Sequence, residues 1–301
     1  NPKWQIPISS AVELEEKPLK IEPYLMGLLL GDGGFSNKYI ITFSTVDKEL
    51  ADFVNWEYTD RCNYKCRDIK IDNALSEYNL LGKKSNSKFI PDDYLYNSTK
   101  NRIAILRGLM DTDGSFWNNG VIEYTTVSPH LASGVLFLVE SLGGTVRITT
   151  KEEPKYTYKG ETLTGQKCYR LVLNIPINPF KLQRKAIQWK PREKYKPSRY
   201  IESIKFIGID ECQCISVASP NHTYLTNNCI VTHNTIEALA WMKFHLRDAL
   251  PYGWVTRSGI KFQHAKEIVR ILGKEHFPQV LMSGKDSFIP GMSGYLFSYD
   301  I

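Results

Sequence analysis

Residues 24–35, YLMGLLLGDGGF, and residues 105–116, ILRGLMDTDGSF, carry one template twice, 81 positions apart. In each, apolar residues lead into Gly-Leu, and a small residue, Asp-Gly, a second small residue and Phe close the segment. Gly27 and Gly31 are four apart and share one helix face; Gly108 and Thr112 repeat that spacing. Small residues so placed let two helix backbones approach closely. Asp32 and Asp113 then fall at the helix ends, each beside a Gly suited to termination. If the helices pair about a twofold axis, both carboxylates arrive at one end of the pair. Close carboxylates repel unless a cation neutralises them. A few oxygen donors with room for water and phosphate suit Mg²⁺ (or Mn²⁺). A single Asp-Gly is ordinarily a turn; two in the same register argue for a shared site.

The sequence around each copy repeats too. YIITFST (39–45) and VIEYTTVS (121–128) alternate as strands do, and each is followed by a helical run, 47–62 and 130–144. TVRITT (145–150) and CYRLVLNIP (168–176) supply further strands. The pattern predicts an α+β fold of two related units.

The chain has 301 residues and a mass of 34.5 kDa, with 42% hydrophobic and 23% charged residues, which fits about two globular domains. It has no run of 18 apolar residues, and its first residues lack the layout of a signal peptide. The expectation is a cytoplasmic protein with no membrane partner. It starts without Met and ends in GYLFSYDI, as a piece of a longer reading frame would. The net charge of +6 permits an anionic partner without requiring one. Six cysteines (62, 66, 168, 212, 214, 229) form no matched CxxC pairs, so reduced thiols are expected rather than a zinc site.

Both copies of the template resemble the LAGLIDADG motif of homing endonucleases, through GLLLGDGG and GLMDTDGS. The resemblance covers residues 21–180. It implies a pseudo-twofold pair of αββαββ units, an antiparallel saddle laid on double-stranded DNA, and a metal bound by Asp32 and Asp113. LLGKKSNSKFIPDDY resembles the family's block before the second motif, which makes Lys88 a candidate catalytic residue. The first copy departs from the family at Leu30, where an acidic residue is frequent; Asp111 keeps it in the second copy.

From Lys181 to Lys205 nine basic residues are interleaved with Trp189, Tyr195 and Tyr200. Pro191 and Pro197 interrupt any helix, so a basic linker is expected over 181–205. Lys181, Arg184, Lys185, Lys190 and Arg192 are its candidate contacts to the DNA backbone.

Residues 206–235 end in Val-Thr-His-Asn-Thr and resemble the C-terminal splicing blocks of inteins, whose fold is the all-β Hedgehog/intein type. An Asn side-chain amide can attack its own backbone carbonyl and cleave the chain, given proton donors nearby. The resemblance makes Asn234 the cyclising residue, His233 and His222 its assistants, and Thr235 the nucleophile beyond the cut. Cys214 stands where some inteins place the first acyl acceptor. The splicing region is thus expected over 206–234, with residues 1–20 as the end of an N-terminal splicing region or a linker.

Residues 235–301 read as the start of a host protein, a partial α/β segment. An upstream Gly-Lys would complete a phosphate-binding loop at Thr235, and TIEAL resembles the start of a Swi/Snf-like helicase ATPase. The partners expected are an intein-free DNA target and the flanking host protein in cis, with the chain monomeric. Two rivals stand beside this reading: a helicase-like ATPase with an inactive insert, and a nucleic-acid-binding module of the same fold without cleavage.

Overall fold

The first helix, α1 (Pro23–Asp32), starts where the Glu22 side chain accepts a hydrogen bond from the Leu25 amide, with Pro23 in the first turn. Tyr24 and Met26 to Leu30 are all buried, so this helix is apolar all round, as a helix at the centre of a core must be. The computed structural model that contains it describes residues 5–35, 37, 40–117, 120–158, 160–190, 198–203, 217–220, 223–232, 252–257, 265–266, 268–270, 279–280 and 294–299. The chain divides into two compact units, one spanning Ile8–Pro197 and the other comprising Asn1–Pro7 with Ser198–Ile301.

In the larger unit, α1 leads to β1 (Gly33–Gly34), β2 (Thr42–Ser44), α2 (Lys48–Val54), β3 (Glu57–Asp60), β4 (Asn63–Lys65) and α3 (Ile69–Glu77). After the short helix α4 (Asp92–Leu95) the order recurs: α5 (Thr99–Asp113), β5 (Gly114–Phe116), β6 (Ile122–Thr126), α6 (Pro129–Ser141), β7 (Thr145–Lys151) and β10 (Cys168–Asn174). Between β7 and β10 the second half inserts a hairpin, β8 (Lys155–Tyr158) and β9 (Glu161–Thr164); α7 (Gln183–Ala186) closes the unit.

Both sheets are antiparallel, ordered β1-β2-β4-β3 and β5-β6-β10-β7. Their registers correspond: Gly33 pairs with Phe43 as Gly114 pairs with Tyr124. The faces alternate as the pleat requires. Phe43, Ile122, Tyr124, Leu171 and Leu173 are buried, whereas Thr125, Arg170 and Thr149, aligned across three strands, lie on the opposite face.

At both ends this unit is wider than the 21–180 expected from the motifs. Residues 8–20 have no regular structure beyond Ile8, yet they are tied down: the Val12 amide bonds the Ser141 carbonyl at 2.8 Å. The fully buried Arg102 adds donors to the Val12, Asn97 and Ser141 carbonyls and to the Ser141 and Thr99 hydroxyls. At the other end, residues 181–189 do not run free: the Leu182 side chain is buried with Tyr24, Leu28, Phe43, Leu50 and Val54, and Lys185 is buried against the end of α5.

In the second unit, Gln5–Pro7 pairs antiparallel with Ser198–Tyr200, and Tyr224–Leu225 with Val231–Thr232. A separate sheet of three parallel strands is formed by Tyr252–Arg257, Gly294–Tyr299 and Gln279–Val280.

Candidate active site

Helices α1 and α5 touch backbone to backbone. A Cβ added at Gly27 would stand 2.3 Å from the Ile105 carbonyl oxygen, and one at Gly108 2.3 Å from that of Tyr24. One turn further, Gly31 abuts Thr112, whose hydroxyl turns back to donate to the Gly108 and Leu109 carbonyls. The helices therefore end side by side, and each ends in its aspartate, Asp32 or Asp113.

Both carboxylates keep an open side to solvent. Burial of the rest pushes the Asp113 carboxyl up to about 6, and the negative charge of Asp32 adds to the rise. Asp32 is also raised, again by burial first. The ammonium groups of Lys88 and Lys185 pull both down.

Those two lysines form the second matched pair. Lys88 Nζ donates to the carbonyls of Leu29, Leu30, Gly31 and Gly33 at 3.1, 2.9, 3.1 and 2.7 Å. Lys185 Nζ donates to those of Met110, Asp111, Thr112 and Gly114 at 2.9, 2.7, 3.4 and 2.6 Å. Position for position, these are the same carbonyls of the two templates. Each ammonium caps the carbonyl end of its helix, where a cation is favoured. Both lysines are buried, at 5% and 7% exposure. Burial lowers Lys88 to about 8 against the pull of Asp113 and Asp32, and lowers Lys185 as well.

The segments bearing the lysines are each secured by the other half. The Ser128 hydroxyl, at the N-cap of α6, donates to the Lys88 carbonyl at 2.6 Å. Asp47, at the N-cap of α2, takes both Arg184 Nε and Nη2, at 2.7 and 2.8 Å. Asp47 and Ser128 occupy equivalent positions, each with its amide bonded to a Thr hydroxyl two residues earlier at 3.1 Å. Asp111 adds a hold that the first half lacks. It accepts from the Tyr24 hydroxyl at 2.8 Å and from the Lys181 and Leu182 amides at 3.0 and 2.8 Å, fixing the start of α7.

This corrects the expectation for the basic stretch. Lys185 is a buried cap, not a phosphate contact on a linker. Arg184 is committed to Asp47, and the Lys181 ammonium lies 4.2 and 4.4 Å from the ring centres of Tyr24 and Phe53. Lys190 is exposed. Arg192, Cys214, His222, His233, Asn234 and Thr235 lie outside the described residues. The signal for Lys185 is nonetheless in the chain: KSNSKFI (84–90) and KLQRKAI (181–187) share Lys, Lys and Ile at identical spacing.

The donor set fits a small divalent cation, because two converging carboxylates repel and a cation relieves that repulsion. Among the described residues no cluster of three or more His, Cys, Asp or Glu side chains accompanies them. Further ligands would be carbonyl, water or phosphate oxygens.

The family profile described as "LAGLIDADG-like domain" matches residues 100–175, the second half from α5 to β10. Over 238 residues the chain is 26% identical to the replicative DNA helicase DnaB of Mycobacterium intracellulare, covering 77% of this chain and 38% of that protein. It is 29% identical over 156 residues to the ATP-dependent DNA helicase Hel308 of Thermococcus kodakarensis, covering 44% of this chain and 14% of that one. The chain thus spans well under half the length of these relatives. Among solved structures, mesophilic variants of the homing endonuclease I-DmoI align with a TM-score of 0.31 at 16% identity, over 52% of this chain and 84% of theirs.

Proposed function

We propose that the larger unit is a site-specific DNA endonuclease of the LAGLIDADG type, carried within an intein that interrupts a helicase-class host. The observation that supports this most is the doubled site, with Asp32 and Asp113 closing two touching helices and Lys88 and Lys185 capping them alike. Asp32 and Asp113 would hold Mg²⁺ or Mn²⁺, which supplies Lewis-acid polarisation of a phosphodiester when bound. The two ammonium groups supply positive charge where the phosphate gains negative charge as water attacks and the P–O bond breaks. Lys88, the catalytic lysine of the motif, acts with Lys185 through charge, since each ammonium is already held by backbone carbonyls.

The solvent faces of the sheets, with Lys65, Arg147, Lys151 and Arg170, are the surface offered to duplex DNA, and Lys190 and Arg192 add backbone contacts. One chain contains both halves, so a monomer suffices. No helix among the described residues is long and apolar enough to cross a membrane. In the splicing region, Asn234 would cleave the chain after itself with help from His222 and His233. Thr235 would accept the acyl group, and Cys214 would be the first acceptor. A helicase-class host is in keeping with the named relatives; the Swi/Snf-like ATPase remains the particular host proposed.

The test is cleavage of a duplex spanning the uninterrupted host junction. The wild-type chain should cut both strands when Mg²⁺ or Mn²⁺ is supplied. Asp32→Asn and Asp113→Asn should bind but not cut, and Lys88→Met and Lys185→Met should cut about a hundredfold more slowly. Undiminished cutting by the Asn variants would refute the site, and binding without any cutting by wild type would favour a module that has lost its chemistry.

A further inference from the structure

The two halves differ most in the hairpin that follows their second helix. In the first half, β3 and β4 are joined by the two-residue loop Arg61–Cys62 and hold only a few paired residues. In the second, β7 and β10 pair over seven residues, Thr145↔Asn174 to Lys151↔Cys168. The strands then continue past an irregular step, bridged by the Gly165 amide on the Pro154 carbonyl at 2.7 Å, into four more pairs of β8 and β9. The surplus is about seven residues of strand, roughly 23 Å, or about seven base pairs of duplex.

This extension has no core of its own. Tyr156 and Leu163 face each other directly across the ribbon and are 51% and 37% exposed. Glu161, Thr162 and Thr164 are exposed as well. A two-stranded ribbon alone is marginal in water, and an exposed apolar cross-strand pair does nothing for solubility. A partner surface accounts for both.

We infer that the β8–β9 ribbon is an added DNA-binding arm that makes the footprint asymmetric, longer on the side of the second half. The inference rests on the endonuclease reading, because the occupant is argued from the ribbon's continuity with the strands of the proposed DNA surface. The chemistry suits a duplex flank: Thr157, Thr162 and Thr164 can donate to phosphate oxygens, and the Tyr156–Leu163 pair can pack against sugars or wedge at a base step. Lys155, Lys159 and Glu161 leave the arm a net charge of only +1, so it adds mainly contact.

Hydroxyl-radical footprinting on the cleaved target tests this. Two variants of the full chain serve: Tyr156→Ser with Leu163→Ser, and replacement of residues 155–164 by Asn-Gly. Wild type should protect about seven base pairs more on one side of the cut than on the other. Both variants should lose that surplus and bind about tenfold more weakly at an unchanged cut position, with the salt slope unchanged in the double-Ser variant and lowered by at most about two in the replacement. A symmetric wild-type footprint, variants that keep the surplus, or a wild-type dimer dispersed by the variants would each overturn the arm while leaving the endonuclease reading intact. Absence of any footprint or cutting by wild type would remove both.

Discussion

Asp113 holds its proton more tightly folded than unfolded, since its carboxyl rises from 3.8 to about 6. The stability gained from that proton is complete below about pH 4 and is lost as pH climbs through 6. Asp113→Asn, which mimics the protonated form, should therefore stabilise the metal-free protein at pH 7.5. With allowance for the solvent that reaches the carboxylate, the gain is about 1 kcal/mol, or about 3 °C in Tm. Thermal unfolding at pH 7.5 and pH 4 checks it: the gain should vanish at the lower pH, and a gain equal at both would show that charge is not its origin. At this scale the aspartates were legible, because Asp-Gly after a helix is local punctuation. Lys185 was not. Its repeat with Lys88 is offset by 97 positions rather than 81, and only the packed structure shows that its charge turns inward to carbonyls.

Helices α1 and α5 owe their contact to what is missing between them. At Gly27 and Gly108 there is no room for a methyl group, and the nearest atoms are backbone, which cannot rotate away. Gly27→Ala and Gly108→Ala should each cost about 3 kcal/mol or more, read as a fall in urea midpoint. Gly160, with φ of 85° in an open turn and nothing within 4 Å, is the control; Ala there should cost about 1 kcal/mol. A change at Gly27 no larger than at Gly160 would mean the helices can part. The paired helices and the strands of the second half could be read from periodicity and from the repeat, but the helical run expected over 47–62 ends at Val54, where the left-handed Asn55 stops it and β3 follows. The β8–β9 ribbon could not, since its exposed alternation resembles an ordinary polar loop.

Across the whole unit, the segment 8–20 is a strap held at several points: Val12 by Arg102 and the Ser141 carbonyl, Lys17 by the Asn97 amide group, and Glu13 by the Thr99 hydroxyl. The sequence suggested the end of an N-terminal splicing region or a linker for it; among its fastenings only Arg102, at Val12, is a fully buried charge. Arg102→Met removes the guanidinium donors to the Val12, Asn97 and Ser141 carbonyls and should cost about 3 kcal/mol. Glutamyl endopeptidase should then cut after Glu13 at least tenfold faster, and unchanged digestion would place the strap's anchorage elsewhere. The bare helix contact has a further consequence for the reaction proposed. With backbone against backbone at Gly27 and Gly108, and Gly31 against a Thr112 side chain pinned by its own hydrogen bonds, the spacing of the two aspartates is set by parts that cannot adapt. The helix pair is thus a fixed gauge. The offset between the nicks on the two strands should stay constant from one DNA sequence to another, because the protein, not the substrate, measures it.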